Sequence, residues 1–89
     1  MAKVLVIESE AAVAQALSDA LAQQGHQAVI TSDGGEALKL AADRRPELII
    51  LCVELARGSG YSVCNKLKKD ADLASVPLIL TSSQATDET

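Results

Sequence analysis

At 89 residues the chain has room for one small domain and no more, since independently folding domains usually run from about 50 to about 200 residues. A hydrophobic share of 48% with a mean hydropathy of +0.19 excludes a disordered tail, and the lack of Trp and Phe means that the core must be aliphatic. Twelve Asp and Glu against eight Lys and Arg leave a net charge of −4, which argues against nucleic acid as a partner because phosphate binding needs a basic stripe. The short Lys66, Lys68, Lys69 cluster is followed by Asp70 and Asp72 and reads as a solvated helix end.

Lys3 to Ile7 is a β-branched run that stops at the polar Glu8-Ser9-Glu10, as a strand buried on both faces would. Ala11 to Gln24 follows as a helix with Val13, Leu17 and Leu21 on its inner face and Gly25 in place for a left-handed cap. Gln27 to Thr31 is a second strand. Ser32-Asp33-Gly34 then caps a helix carrying Ala37, Leu38 and Ala41, with Arg44 and Arg45 at its negative end and Pro46 closing it. Glu47 to Val53 is the most apolar strand and belongs in the middle of the sheet. A Gly58-Ser59-Gly60 turn leads to a third helix with Val63, Cys64 and Leu67 inward, and Pro77 opens a fourth strand, Leu78 to Thr81.

Strands alternating with helices imply right-handed βαβ units, hence an α/β fold with a doubly wound parallel sheet. Such sheets bind ligands at the carboxyl ends of their strands. That rule selects Glu8, Ser9 and Glu10 after the first strand, Cys52 and Glu54 after the third, and Thr81, Ser82 and Ser83 after the fourth, and predicts that they converge on one shallow pocket.

The longest apolar run, Leu48 to Val53, is six residues, far short of the roughly 20 that a membrane span needs. A cytoplasmic chain without membrane association is therefore expected. Cys52 and Cys64 show no metal-ligand spacing and are too few for a disulfide framework, which suits a reducing compartment and free thiols.

Several segments, in this order and spacing, resemble the response-regulator receiver domain, the CheY-like phosphoacceptor module of two-component signalling. They are Val4-Leu-Val-Ile-Glu8-Ser-Glu10, Ser32-Asp33-Gly34-Gly-Glu36-Ala37-Leu38, Arg45-Pro46-Glu47-Leu48-Ile49-Ile50-Leu51-Cys52-Val53, Gly60-Tyr61-Ser62-Val63 and Val76-Pro77-Leu78-Ile79-Leu80-Thr81-Ser82. The resemblance spans the whole chain and implies a flavodoxin-like strand order of 2-1-3-4, without the family's last strand and helices. It also implies two adjacent acids after the first strand to hold Mg²⁺ and an aspartate at the end of the third strand to accept the phosphoryl group.

This chain departs from that pattern. The metal-holding and acceptor positions carry Glu8, Ser9 and Cys52. Mg²⁺ wants several hard oxygen donors, and a thiol cannot form the acyl phosphate that a carboxylate forms. Glu54 could lend a second carboxylate, although the family uses only the backbone carbonyl there. No metal and no cofactor is expected, and no enzymatic activity, because no nucleophile and base pair can be assembled around a single His. Ser82 aligns with the hydroxyl that senses the phosphoryl group, while satisfying backbone groups at a strand end is its plainer reading. Tyr61 lies away from the family's aromatic switch position. The Cys52-Val-Glu-Leu-Ala and Asn65-Lys-Leu-Lys-Lys-Asp70 stretches most resemble the FrzS-type pseudo-receivers of gliding motility.

The expected function is thus a phosphorylation-independent pseudo-receiver that recruits a protein partner, with a redox- or ligand-responsive switch at Cys52 as the alternative. For Cys52 a structural thiol is the plainer reading, with Arg57 as the one cation that could activate it. Glu8 with Glu54 reads as two solvated carboxylates more readily than as a weak divalent-ion site. His26 reads as a boundary residue, and Gly58-x-Gly60 lacks the third glycine of a dinucleotide loop. Residues 1–89 are expected to be a single receiver-like domain incomplete at its C-terminus, with Ser83 to Thr89 at most beginning a fourth helix. A larger parent protein, or a homodimer partner pairing with the open fourth strand, would supply the missing cover.

Overall fold

A computed structural model describes residues 1–55 and 59–82. The elements run β1 (Lys3–Ile7), α1 (Ala11–Gln23), β2 (Gln27–Thr31), α2 (Gly34–Arg44), β3 (Leu48–Cys52), α3 (Gly60–Lys69) and β4 (Leu78–Thr81). The four strands pair in parallel in the order β2-β1-β3-β4, which is the expected arrangement. β1 and β3 share the interior, and β3 is one residue shorter at each end than the apolar run suggested, because Glu47 and Val53 fall outside its ladder.

Strand periodicity decides what each face buries. Leu5, Ile7, Ile49 and Leu51 point to one side, where they pack with Ala37 and Ala41 of α2 and Val63 and Leu67 of α3. Val4 and Val6 point to the other side and are fully buried. There α1 lies differently from expectation. Val13 is 38% exposed, whereas Ala14 is buried and Leu17 and Leu21 are half-buried. The inward row is therefore 14-17-18-21, and a small Ala lets the helix approach the strands where Val13 would hold it away. Leu73, between α3 and β4, joins the core although no periodic pattern marked it.

The cap at Asp33 is the expected one, whereas Ser59, read in the sequence as part of a turn, also caps a helix. Asp33 accepts a hydrogen bond from the Gly35 amide at 2.8 Å, and Ser59 accepts from the Tyr61 amide at 3.1 Å, satisfying amides at the starts of α2 and α3. Gly25 takes a φ of +82° after α1, and Arg45 a φ of 50° after α2. His26 is half-buried at the amino end of the sheet, where its Nδ1 accepts from the Ala2 amide at 3.0 Å. Gly58 and Ser83 to Thr89 lie outside the described residues, so the expected turn and fourth-helix start are not part of this description. Gly60 begins α3, and its requirement is steric: a Cβ there would overlap the Cys52 carbonyl and sit 2.5 Å from Val53 Cα.

Gly60→Ala should therefore lower stability by about 2 kcal/mol or more, because backbone must move to admit the methyl group. Gly35→Ala, whose Cβ would meet only the Asp33 carboxylate at 3.4 Å, should be neutral or stabilising by up to about 1 kcal/mol. Urea unfolding midpoints of the two variants check the contrast.

Candidate functional site

The carboxyl ends of β1 and β3 adjoin because their ladder pairs Ile7 with Leu51. Glu8 follows directly, and its amide donates to the Thr31 carbonyl at 3.0 Å, continuing the stitch to β2. Its side chain is 5% exposed and accepts from the Glu10 amide at 3.0 Å. Glu10 itself, at the cap position of α1, makes no side-chain cap bond. The Glu8 carboxylate thus serves the turn into α1, at the helix end where negative charge is favoured.

Cys52, the last residue of β3, is 2% exposed. Its thiol donates to the Glu54 carbonyl at 3.4 Å and approaches Glu54 Oε1 at 3.7 Å. Burial pushes its pKa above the ordinary cysteine value, and the Glu8 and Glu54 carboxylates push the same way, against a lowering backbone hydrogen bond with Glu54. Glu54 is the hub. Its carbonyl also accepts from Ser9 Oγ at 3.4 Å, its Oε2 accepts from Ser82 Oγ at 2.6 Å, and its backbone forms an antiparallel bridge with Ser59.

The structure brings Glu8, Ser9, Cys52, Glu54 and Ser82 together at the carboxyl end of the sheet. Among the described residues, Glu8 borders two clefts. One, of about 220 Å³, is lined by Glu8, Val13, Leu17, Thr81 and Ser82. The other, of about 460 Å³, borders Glu8 and Ser9 with Ile30, Thr31, Ser32 and Glu36 among its walls. The second cleft uses the end of β2, which sequence reasoning passed over. There the buried Thr31 hydroxyl donates to the Glu36 carboxylate, and a Thr closing a strand five residues before a helical Glu was the signal available. Arg57 lies outside the described residues.

The donor set does not suit Mg²⁺. Beside Glu8 stand a hydroxyl at Ser9 and a protonated thiol at Cys52, and the second carboxylate, Glu54, is engaged with Ser82. Among the described residues no group of three or more His, Cys, Asp or Glu is placed to hold a metal ion. His26, at the other end of the sheet, cannot serve as a base for Cys52. Both cysteines are free thiols, Cys64 half-buried in α3.

The profile of the response regulator receiver domain matches residues 4–89, and the chain belongs to that family. A probable transcriptional regulator, ycf27, of Guillardia theta is 37% identical over 78 residues, covering 88% of this chain and 30% of its own length. The chain spans about a third of the length of the curated regulators it matches first. Its fold superposes on the chemotaxis response regulator CheY4 of Vibrio cholerae with a TM-score of 0.90 at 24% identity, covering 97% of this chain and 72% of that one. A complex of the histidine kinase ThkA with the response regulator TrrA gives a TM-score of 0.86 at 25% identity, covering all of this chain and 75% of the matched one. Among the described residues no helix is long and apolar enough to cross a membrane.

A raised thiol pKa has a kinetic consequence, because the thiolate is the nucleophile. With Cys64 replaced by Ser, iodoacetamide should alkylate Cys52 more slowly at neutral pH than it does a cysteine peptide, and the pH–rate midpoint should lie above the peptide's. The sign for stability follows: the thiol's contribution is complete below the unfolded-state pKa and is lost as pH rises through the higher folded-state value.

Proposed function

We propose that this receiver acts without phosphorylation, as an interaction module that presents the receiver scaffold to a protein partner of a two-component-type pathway. The observation that carries the reading is the occupant of the acceptor position: a buried, protonated Cys52 thiol held by Glu54, with Ser9 where a second metal-holding acid would stand. Phosphoryl transfer needs an acceptor oxygen and charge neutralisation at the transferring group, and these residues supply neither. Residues 1–89 belong on this reading to a single receiver-like domain, cytoplasmic, with no membrane or nucleic-acid contact of its own and with homodimerisation open to it. The ThkA–TrrA complex makes a histidine kinase the first partner class to test, with phosphoryl transfer uncoupled from docking. The likeness of the Cys52 and Asn65 segments to motility pseudo-receivers makes motility the first pathway to test. The raised pKa of Cys52 weighs against the alternative of a redox switch there.

Incubation with acetyl phosphate and Mg²⁺ should leave the mass unchanged, and stoichiometric gain of one phosphoryl group would overturn the proposal. Ser9→Asp combined with Cys52→Asp restores both missing carboxylates and should produce Mg²⁺-dependent labelling where the original chain shows none. Intact-mass spectrometry reads both outcomes.

A further inference from the structure

We propose that the Glu54 carboxylate is a built-in occupant of the acceptor cleft, a latch that ties the tip of β3 to the tip of β4 through Cys52 and Ser82. The inference deepens the phosphorylation-independent reading and rests on it. Its geometry is specific. One carboxylate oxygen stands 3.7 Å from Cys52 Sγ and the other 2.6 Å from Ser82 Oγ, so the group spans the gap between neighbouring strands. The second distance is that of a well-formed hydrogen bond from a hydroxyl to a carboxylate oxygen.

The placement of Glu54 is over-determined from its backbone. Its carbonyl accepts from both Ser9 Oγ and Cys52 Sγ, and its bridge to Ser59 ties it to the start of α3. Gly60 keeps that start close, since its amide donates to the Val53 carbonyl at 3.0 Å and no side chain intervenes. The register pairs Cys52 with Thr81, which puts the Ser82 hydroxyl one residue beyond, within reach of a carboxylate two residues beyond Cys52. Both ends of the latch are therefore set by sheet pairing.

The consequence is regulatory. A carboxylate resident at the strand tips holds the β4 hydroxyl without any reaction, so the tip of β3 and the end of β4 keep one arrangement. A partner docking near these tips meets that arrangement at all times, and no transferred group is needed to create it.

The test reads the Ser82 side chain in the full chain by NMR, through Hα–Hβ couplings that report χ1. The original protein should show a single rotamer. Glu54→Ala should average it and raise the Cys52 alkylation rate about threefold or more, as the thiol loses a covering acceptor and a nearby negative charge. Glu54→Gln keeps an acceptor oxygen and should restore the single rotamer, a rescue that general loosening of the loop would not give. An averaged Ser82 in the original protein, or a fixed one in folded Glu54→Ala, overturns the latch. If Glu54→Ala does not fold, the original protein and Glu54→Gln still decide, since an averaged Ser82 in either overturns the proposal and a single rotamer in both supports it. The acetyl phosphate assay separates the two ideas: labelling of the original protein overturns the phosphorylation-independent reading whatever Ser82 does, whereas an inert protein with a mobile Ser82 overturns the latch alone.

Discussion

Parallel pairing between β1 and β3 is the constraint on which the site depends. The two strands are the interior of the sheet, and Val4 to Ile7 are almost completely buried, as are Ile49, Leu51 and Cys52. Because both faces of β1 are covered, its register is set from both sides. A slip of β3 by one residue would exchange the α2/α3-facing Leu51 with Cys52 and move every side chain of that strand to the wrong face. The pairing of Ile7 with Leu51 therefore determines that Glu8 and Cys52 emerge side by side at one end of the sheet. Parallel direction does the rest, since it brings the tips of β2 and β4 to the same end.

The groups gathered there obey an electrostatic logic opposite to that of a metal site. Around a cation, neighbouring carboxylates and thiols lose protons and converge on a common point. Here the thiol stays protonated because burial and two carboxylates disfavour a further negative charge. The carboxylates turn to hydrogen-bond donors of the protein itself: Glu8 to the Glu10 amide, Glu54 to Ser82 and Cys52, Glu36 to Thr31. Every buried side-chain polar atom among the described residues has a partner, so the cleft is internally satisfied.

Much of this was legible in the sequence, for physical reasons that differ by element. β1, β2 and β4 could be bounded to the residue because each is an apolar run broken by charge, Pro or Gly, and the cap at Asp33 uses a side chain whose chemistry is local, whereas the cap at Ser59 lay hidden in what reads as a turn. The phase of α1 was not legible. Val13 and Ala14 are adjacent, both are apolar, and only the approach distance to the sheet selects the smaller one. That Cys52 and Ser82 sit at strand tips followed from strand order. That Glu54 turns its carboxylate between them did not, because it depends on the bridge to Ser59 and on the close start of α3 permitted by Gly60. The Thr31–Glu36 pair lies at the tip of β2, beyond the ends of β1, β3 and β4 that carry the residues marked by the sequence.

The changes at Ser9 and Cys52 are physically consistent as a pair. An aspartate at position 52 would lie almost fully buried beside Glu8 and near Glu54, and three carboxylates at that spacing are tolerable only with a cation among them. With a hydroxyl at Ser9 the cation's donor set is weakened, and a charged residue at 52 would then carry an uncompensated desolvation penalty of several kcal/mol. A thiol avoids that charge, stays buried at the end of β3, and offers its hydrogen to Glu54. On the proposed phosphorylation-independent reading, the thiol at position 52 both withholds an acceptor oxygen and spares the fold a buried charge. An uncharged group at the buried tip of β3 thus lets the receiver scaffold stay well packed there with no cation among its donors.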